Sequence, residues 1–179
     1  EAGVKCIDHG HLINEEAIQL LKEKDAWLVP QSHWLLRSKE SIEILPPRRA
    51  QKMAMVLAGA EREMELAKKY DVNLAFGTDA FGPLGGESKA LNEFITRCRW
   101  YSPVEVLRQA TSENAKLFQL SGKLHPYTAG KLGVIESGAY ADLLIYDGNP
   151  LEDIQVIVNY KENLHFIMKD GKIIKNELE

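Results

Sequence analysis

The sequence predicts an α/β domain with a parallel sheet, followed by a smaller unit of short β-strands. In the first two thirds of the chain, continuous apolar segments alternate with segments of helical periodicity. This pattern is typical of parallel strands that helices cover on both faces. After Gly122 the composition changes to short strand-like segments joined by glycine turns. We therefore expect two domains, residues 1–122 and residues 123–179.

Each strand-like segment of the first domain leads into a helix. The strand segments are "GVKCIDHG", "AWLVPQS" and "VNLAFGTDA", and the helical segments are 14–25, 48–70, 87–100, 103–110 and 113–120. Asn14 is a favoured N-cap residue, and proline, as at Pro46 and Pro47, is favoured where a helix begins. Ser112 is expected to cap the last of these helices.

The second domain contains the strand-like segments "ADLLIYDGNP" and "FIMKDGKIIK". Asp170 and Gly171 form the Asp-Gly pair that is typical of a two-residue turn between antiparallel strands. We therefore expect a hairpin at this pair, within a small β-unit.

Composition argues against two classes of partner. The formal net charge is −4 and the pI is about 5.8, so the chain attracts neither nucleic acid nor an anionic membrane. No apolar segment approaches the roughly 20 residues that a membrane span needs.

The two cysteines indicate a reducing compartment. Cys6 and Cys98 lie far apart without a CxxC spacing, which favours reduced thiols and a cytoplasmic location.

Polar side chains follow each predicted strand of the first domain. His9 follows the first strand, His33 the second, and Asp79 the third. Because functional groups of parallel α/β proteins collect at the carboxyl ends of the strands, we expect these side chains at one edge of the sheet. A desolvated carboxylate needs a partner, and a metal ion would supply one. In the ordinary structural interpretation, Asp79 begins a turn and His9 is a hydrogen-bonded structural histidine.

His11 adds an alternative at the end of the first strand. Side chains two residues apart on a strand point the same way, so His9 and His11 could bind one metal ion together. Alternatively, His9 alone is functional and His11 is its neighbour.

Several segments, in order along the chain, resemble the amidohydrolase superfamily, in particular its imidazolonepropionase-like and Xaa-Pro dipeptidase-like branch. "IDHG", "WLVPQS" and "AFGTDA" resemble the sixth, seventh and eighth strands of the family's barrel. "GVIESGAYADLLIYDGNPLEDI" and "IMKDGKII" resemble its terminal β-sandwich segments. The resemblance implies the C-terminal part of a (β/α)8 TIM-type barrel, strands six to eight with their helices, plus strands of a small β-sandwich domain.

The resemblance also implies a divalent metal centre, commonly zinc with one or two ions. Its ligands are an HxH pair on the first strand, often a lysine on the fourth, histidines on the fifth and sixth, and an aspartate on the eighth. A barrel of about 250 residues uses roughly 31 per strand and helix, so its first and eighth strands lie about 200 residues apart. His9 and Asp79 are 70 residues apart, which fits two units and favours His9 as the sixth-strand ligand.

By the same resemblance, His9 and Asp79 are metal ligands, and Asp79 is also the catalytic residue. Its carboxylate would take a proton from the attacking water and pass it to the leaving group. The implied substrate is a small molecule with a C–N bond, such as a dipeptide or a cyclic amide. His33, Trp34 and Phe81 are expected to shape its pocket.

The other ligands of the family, the HxH pair, the lysine and the fifth-strand histidine, have no counterpart in these 179 residues. We therefore expect the C-terminal fragment of a longer enzyme, inactive by itself. Two alternatives remain: a ring deaminase of the same superfamily, and a non-catalytic module that forms homo-oligomers through exposed strand edges.

Overall fold

The computed structural model describes residues 2–36, 42–80 and 87–178. The chain divides into two compact units, Glu1–Tyr101 and Ser102–Glu179. The first unit contains a parallel sheet and the second an antiparallel sheet, so the predicted combination of an α/β part and a small β-unit is confirmed. The domain boundary after residue 122, which rests on the change in composition, stays a prediction.

The first unit is a short parallel sheet with helices. Its described elements are β1 Cys6–Asp8, α1 Glu15–Glu23, β2 Trp27–Val29, a 3-10 helix Ser32–Leu36, α2 Pro47–Tyr70, β3 Asn73–Leu74 and α3 Glu87–Arg97. The strand order is β1-β2-β3, with Leu28 of β2 opposite Ile7 and Leu74. β2 is buried along its whole length, as expected for a central parallel strand.

Local sequence signals account for the starts of α1 and α2. The Asn14 side chain accepts a hydrogen bond from the Ala17 N–H at 2.9 Å, which confirms the predicted N-cap. Pro47 occupies the first position of α2, where its missing N–H costs no hydrogen bond. α2 ends at Tyr70, and the next residue, Asp71, caps it in the left-handed conformation.

The core of this unit lies between α1, α2 and β2. The fully buried apolar side chains of these three elements are Ile18, Leu28, Met64 and Ala67. α2 approaches the loop after β1 so closely that a Cβ added at Gly59 would lie 1.9 Å from the His11 carbonyl oxygen. Glycine at position 59 therefore sets the distance between the helix and this loop.

The second unit begins with a continuous helical segment. Its parts are α4 Pro103–Arg108, a π-helical turn Gln109–Glu113 and α5 Asn114–Gln119. The prediction that Ser112 caps a separate helix is wrong, because the backbone stays helical through the π turn. The cap lies instead at the start of α4, where the Ser102 N–H donates to the Glu105 carboxylate at 2.8 Å.

The rest of the second unit is a three-stranded antiparallel sheet with short helices. Its elements are a 3-10 helix Gly122–Leu124, β4 Leu143–Tyr146, α6 Gln155–Val158, α7 Tyr160–Asn163, β5 Leu164–Lys169 and β6 Lys172–Asn176. Asp170 and Gly171 both have positive φ between β5 and β6, which confirms the predicted hairpin. None of the described helices is long and apolar enough to cross a membrane.

We predict that Gly59→Ala destabilises the protein. In an exposed helix this change stabilises by up to about 1 kcal/mol, but here the new methyl group must displace the backbone at His11. Overpacking of this kind costs about 1–3 kcal/mol. Denaturant unfolding of the purified chain measures the free energy, with Ala58→Gly on the exposed face of α2 as the control for helix propensity, expected to cost about 1 kcal/mol. A Gly59→Ala variant as stable as the parent would contradict the close approach.

Candidate functional site

The loops after the three parallel strands leave the same edge of the first unit's sheet. The ladder continues one residue beyond β1, where the His9 N–H donates to the Val29 carbonyl at 3.1 Å, and beyond β3, where the Ala75 N–H donates to the Leu28 carbonyl at 3.0 Å. Residues that follow these positions therefore lie at the carboxyl edge, where functional groups collect in α/β proteins.

His9 is exposed at this edge and has a left-handed backbone, with φ of 73°. Positive φ is uncommon for residues other than glycine, although histidine adopts it more often than most. Its Nδ1 lies 2.8 Å from Oε1 of Gln31. Within the described ranges His9 Nε2 makes no hydrogen bond, so this nitrogen is the ring atom left for a ligand.

His11 is held differently, although its ring centroid lies only 6.2 Å from that of His9. Its Nδ1 lies 2.9 Å from a carboxylate oxygen of Glu63 on α2, whose side chain is completely buried. Burial raises the pKa of Glu63, and the hydrogen bond with His11 opposes this shift. The His11 ring is thus held by a hydrogen bond to Glu63 of α2.

The loop after β2 is held by a second buried carboxylate, Glu93 of α3. It accepts hydrogen bonds from Ser32 N (3.0 Å), Ser32 Oγ (3.0 Å), His33 N (2.7 Å) and Arg97 Nε (2.6 Å). Burial by itself raises the pKa of Glu93, but its contact with His33 and the charge of Arg97 outweigh burial and lower it. Glu93 is therefore an ionised carboxylate at neutral pH.

Arg97 extends this network to the loops after β2 and β3. Its side chain is completely buried, and its Nη2 donates to the Pro30 carbonyl at 2.7 Å. The guanidinium lies 4.7 Å from the centroid of the Phe76 ring, which in turn packs on Phe94 at 4.4 Å. A cation over an aromatic face is attracted by the ring, so Arg97 fixes two loops of the edge at once.

Asp79 lies five residues beyond β3, is exposed and has φ of 49°. The structure thus brings His9 and Asp79 to the same edge of the sheet, as predicted. His33 follows β2, the strand between β1 and β3 in the sheet. Its Nδ1 lies 3.4 Å from Oε2 of Glu93. Phe81 and the Trp34 side chain lie outside the described residues. A role in substrate binding for these three stays a prediction.

The donors at this edge fit a divalent ion of the zinc type. Zinc binds imidazole nitrogen and carboxylate oxygen, and His9 Nε2 and the Asp79 carboxylate are of these types. A ligating histidine usually has an acceptor at its other ring nitrogen, and at His9 the Oε1 of Gln31 lies 2.8 Å from Nδ1. Within 2–36, 42–80 and 87–178 no group of three or more His, Cys, Asp or Glu side chains is placed to bind a metal.

Sequence reasoning missed the residues that hold these loops: Gln31, Glu63, Glu93 and Arg97. A signal was available for Glu63, because it falls at helical spacing among the buried positions Ala60, Met64 and Ala67 of α2. A charged residue on the apolar face of a helix is rarely buried without a partner. Such a residue therefore indicates a buried hydrogen-bond network.

Comparisons with known proteins agree with one another. The profile described as "Amidohydrolase family" matches residues 1–174. Ochratoxinase of Aspergillus niger is 30% identical over 183 aligned positions, which cover 98% of this chain and 35% of that protein. This chain thus spans about a third of the length of that curated relative.

Solved structures are similar over the same region. A Xaa-Pro dipeptidase with methionine bound in its active site is 30% identical with a TM-score of 0.80, and the match covers 98% of this chain and 41% of that one. A prolidase complexed with N-methylphosphonate-L-proline is 32% identical with a TM-score of 0.76, over 98% and 41% of the two chains. The chain spans about two fifths of each.

We predict that Glu93→Gln is strongly destabilising because it leaves Arg97 buried without a counter-charge. Breaking a buried pair in this way costs about 3–5 kcal/mol. The matched control is Glu61→Gln, which breaks the exposed pair between Glu61 and Arg99 and should cost no more than about 1 kcal/mol. Urea unfolding at neutral pH measures the free energy of unfolding of both variants. A similar loss of stability in the two would contradict the large cost expected for the buried pair.

The penalty of Glu93→Gln should also depend on pH. Because the pKa of Glu93 is lower in the folded than in the unfolded chain, its stabilisation is complete above the usual glutamate value of about 4.3 and is lost as pH falls below it. We therefore expect the difference in unfolding free energy between parent and variant to shrink below about pH 4.3. A difference that stays constant or grows during acidification would contradict the lowered pKa.

Proposed function

Since this chain belongs to the amidohydrolase family, we propose that it is the C-terminal part of an enzyme that hydrolyses C–N bonds of small amides. In this proposal β1, β2 and β3 are the sixth, seventh and eighth strands of a (β/α)8 barrel. Their parallel order and the TM-scores of 0.76 and 0.80 with longer family structures support the assignment. The activity is that of the longer protein, and the fragment alone is proposed to be inactive.

The proposed substrates are dipeptides and related small amides. Two of the solved relatives carry the names of a Xaa-Pro dipeptidase and a prolidase, which favours cleavage of a peptide-like bond over deamination of a ring. We take Xaa-Pro dipeptides as the first compounds to test. His33, Trp34 and Phe81 are proposed to line the pocket that receives them.

One observation supports the chemistry most: an exposed carboxylate and an imidazole with a free ring nitrogen lie at the same sheet edge. We propose that His9 Nε2 and the Asp79 carboxylate hold one or two divalent ions, zinc being the first candidate. When bound there, such an ion would polarise the amide carbonyl and ease deprotonation of water.

Asp79 has the proton-transfer role in this proposal. Its carboxylate is exposed, so it can take a proton from the attacking water and deliver it to the leaving nitrogen as the C–N bond breaks. The nitrogen then departs as a neutral amine, and Asp79 regains its charge. His9 would hold the ion through Nε2, the ring nitrogen without a hydrogen bond among the described residues.

We predict that Asp79→Asn in the longer protein lowers kcat/KM for dipeptides about 10²–10⁴-fold, because an amide cannot accept the proton. Bound zinc, measured by elemental analysis, should also decrease. The control is Asp71→Asn, since Asp71 shares the same residue type and φ but precedes β3 at the opposite end of the strand. It should change neither quantity. Undiminished turnover by Asp79→Asn would rule out its proposed role.

The same assay separates the other interpretations. Peptide hydrolysis releases an amino acid without ammonia, whereas ring deamination releases ammonia. If the longer protein released ammonia from a ring substrate and left dipeptides intact, the proposed amidase activity would be wrong and a deaminase would be favoured. A defined oligomer without turnover of either class would favour the self-associating module.

A further inference from the structure

Gln31 is an amide side chain buried at the end of β2, where only 3% of the residue is exposed. Both ends of its amide are used. Its Nε2 donates to the Val29 carbonyl at 2.7 Å, and its Oε1 lies 2.8 Å from His9 Nδ1. The Val29 carbonyl also accepts the His9 N–H at 3.1 Å, so the backbone and the ring of His9 are attached to the same short segment.

The chemistry of these groups determines where the His9 proton lies. A backbone carbonyl can only accept, so the NH₂ end of Gln31 must face Val29. The oxygen end then faces His9, and an amide oxygen also only accepts. Nδ1 of His9 must therefore carry the hydrogen, and the neutral ring has its lone pair on Nε2.

Packing keeps Gln31 in this position. A Cβ added at Gly77, in the loop after β3, would lie 2.6 Å from a Val29 methyl group and 3.5 Å from Gln31 Nε2. The glycine brings the loop after β3 into contact with Val29 and the Gln31 amide. The side chain is enclosed and both of its polar ends are bonded, and a reversed amide would place its oxygen against the Val29 carbonyl oxygen, with no hydrogen between the two acceptors.

We propose that Gln31 is a positioning residue that holds neutral His9 in the Nδ1–H tautomer and directs its Nε2 lone pair to a ligand. Insofar as that ligand is a divalent ion, the proposal rests on the proposed function. A neutral acceptor suits this task because it orients the ring without adding a charge beside it. A buried glutamine with only a structural role would not need to select one tautomer.

The first test measures the tautomer directly. The ¹⁵N chemical shifts of the His9 ring are recorded in histidine-labelled protein at about pH 8.5, well above the usual histidine pKa, and assigned with His9→Gln. We expect a protonated Nδ1 and an unprotonated Nε2. A ring protonated at Nε2 in the parent protein would overturn the proposal, whatever the enzyme does.

Three variants separate positioning from packing. Gln31→Met conserves the volume but removes the acceptor, so the ring should shift toward the Nε2–H tautomer. Gln31→Glu keeps an acceptor and should retain Nδ1–H. Gln19→Met, on the exposed face of α1, is the matched control and should leave the His9 signals unchanged. Retention of Nδ1–H by Gln31→Met would show that Gln31 does not select the tautomer.

Zinc titration of the longer protein supplies the second readout. Loss of an orienting partner weakens metal binding about 10–100-fold, so Gln31→Met should bind Zn²⁺ that much more weakly, and Gln31→Glu should recover most of the affinity. If the tautomer result holds but the parent protein binds no Zn²⁺, the proposed function fails and the positioning role stands. Equal Zn²⁺ affinity of parent and Gln31→Met would overturn the link between Gln31 and the ligand.

Discussion

The buried ion pair between Glu93 and Arg97 holds together the loops that form the candidate site. Two charges without solvent are costly unless their remaining hydrogen-bonding groups find partners. Here those partners are the backbone and hydroxyl of Ser32, the backbone of His33 and the carbonyl of Pro30. Because the pair needs these hydrogen-bond partners, the chain after β2 must pass close to it. Gln31 lies on this part of the chain, and its Oε1 reaches His9.

The two histidines of the first loop show how the partner of a ring decides its role. His11 faces a buried carboxylate on α2, whereas His9 faces the neutral amide of Gln31 and remains exposed. The glycine between them makes this arrangement possible. Gly10 has φ of 70°, and a Cβ there would lie 2.4 Å from a carboxylate oxygen of Glu63. A side chain at position 10 would therefore displace the Glu63 carboxylate that holds the His11 ring.

The strands of the first unit are shorter than their apolar segments suggest, for a physical reason that differs along the sheet. In "AWLVPQS" the strand ends at Val29 because Pro30 has no N–H for the ladder. The residues that follow use side-chain contacts instead, through Gln31 and Ser32. In "VNLAFGTDA" the strand ends at Leu74, and Phe76 packs on Phe94 and Arg97. The apolar pattern indicated burial correctly, but burial continues beyond the hydrogen-bonded strand.

By itself the sequence determined the features that depend on near neighbours. These are the N-cap at Asn14, the helix start at Pro47, the Asp-Gly hairpin and the placement of His9 and Asp79 after parallel strands. Caps, turns and periodicity act within a few residues, so they can be recognised without coordinates.

Only the tertiary structure decided which partner each polar side chain has. His11 and Glu63 are 52 positions apart, and His33 and Glu93 are 60 positions apart. Pairs of this kind form because packing removes several polar groups from water together, and each must then find a partner among the groups that the fold brings near. No local pattern carries that information, which is why the ring of His9 could be placed at the sheet edge from the sequence, but the position of its proton could not.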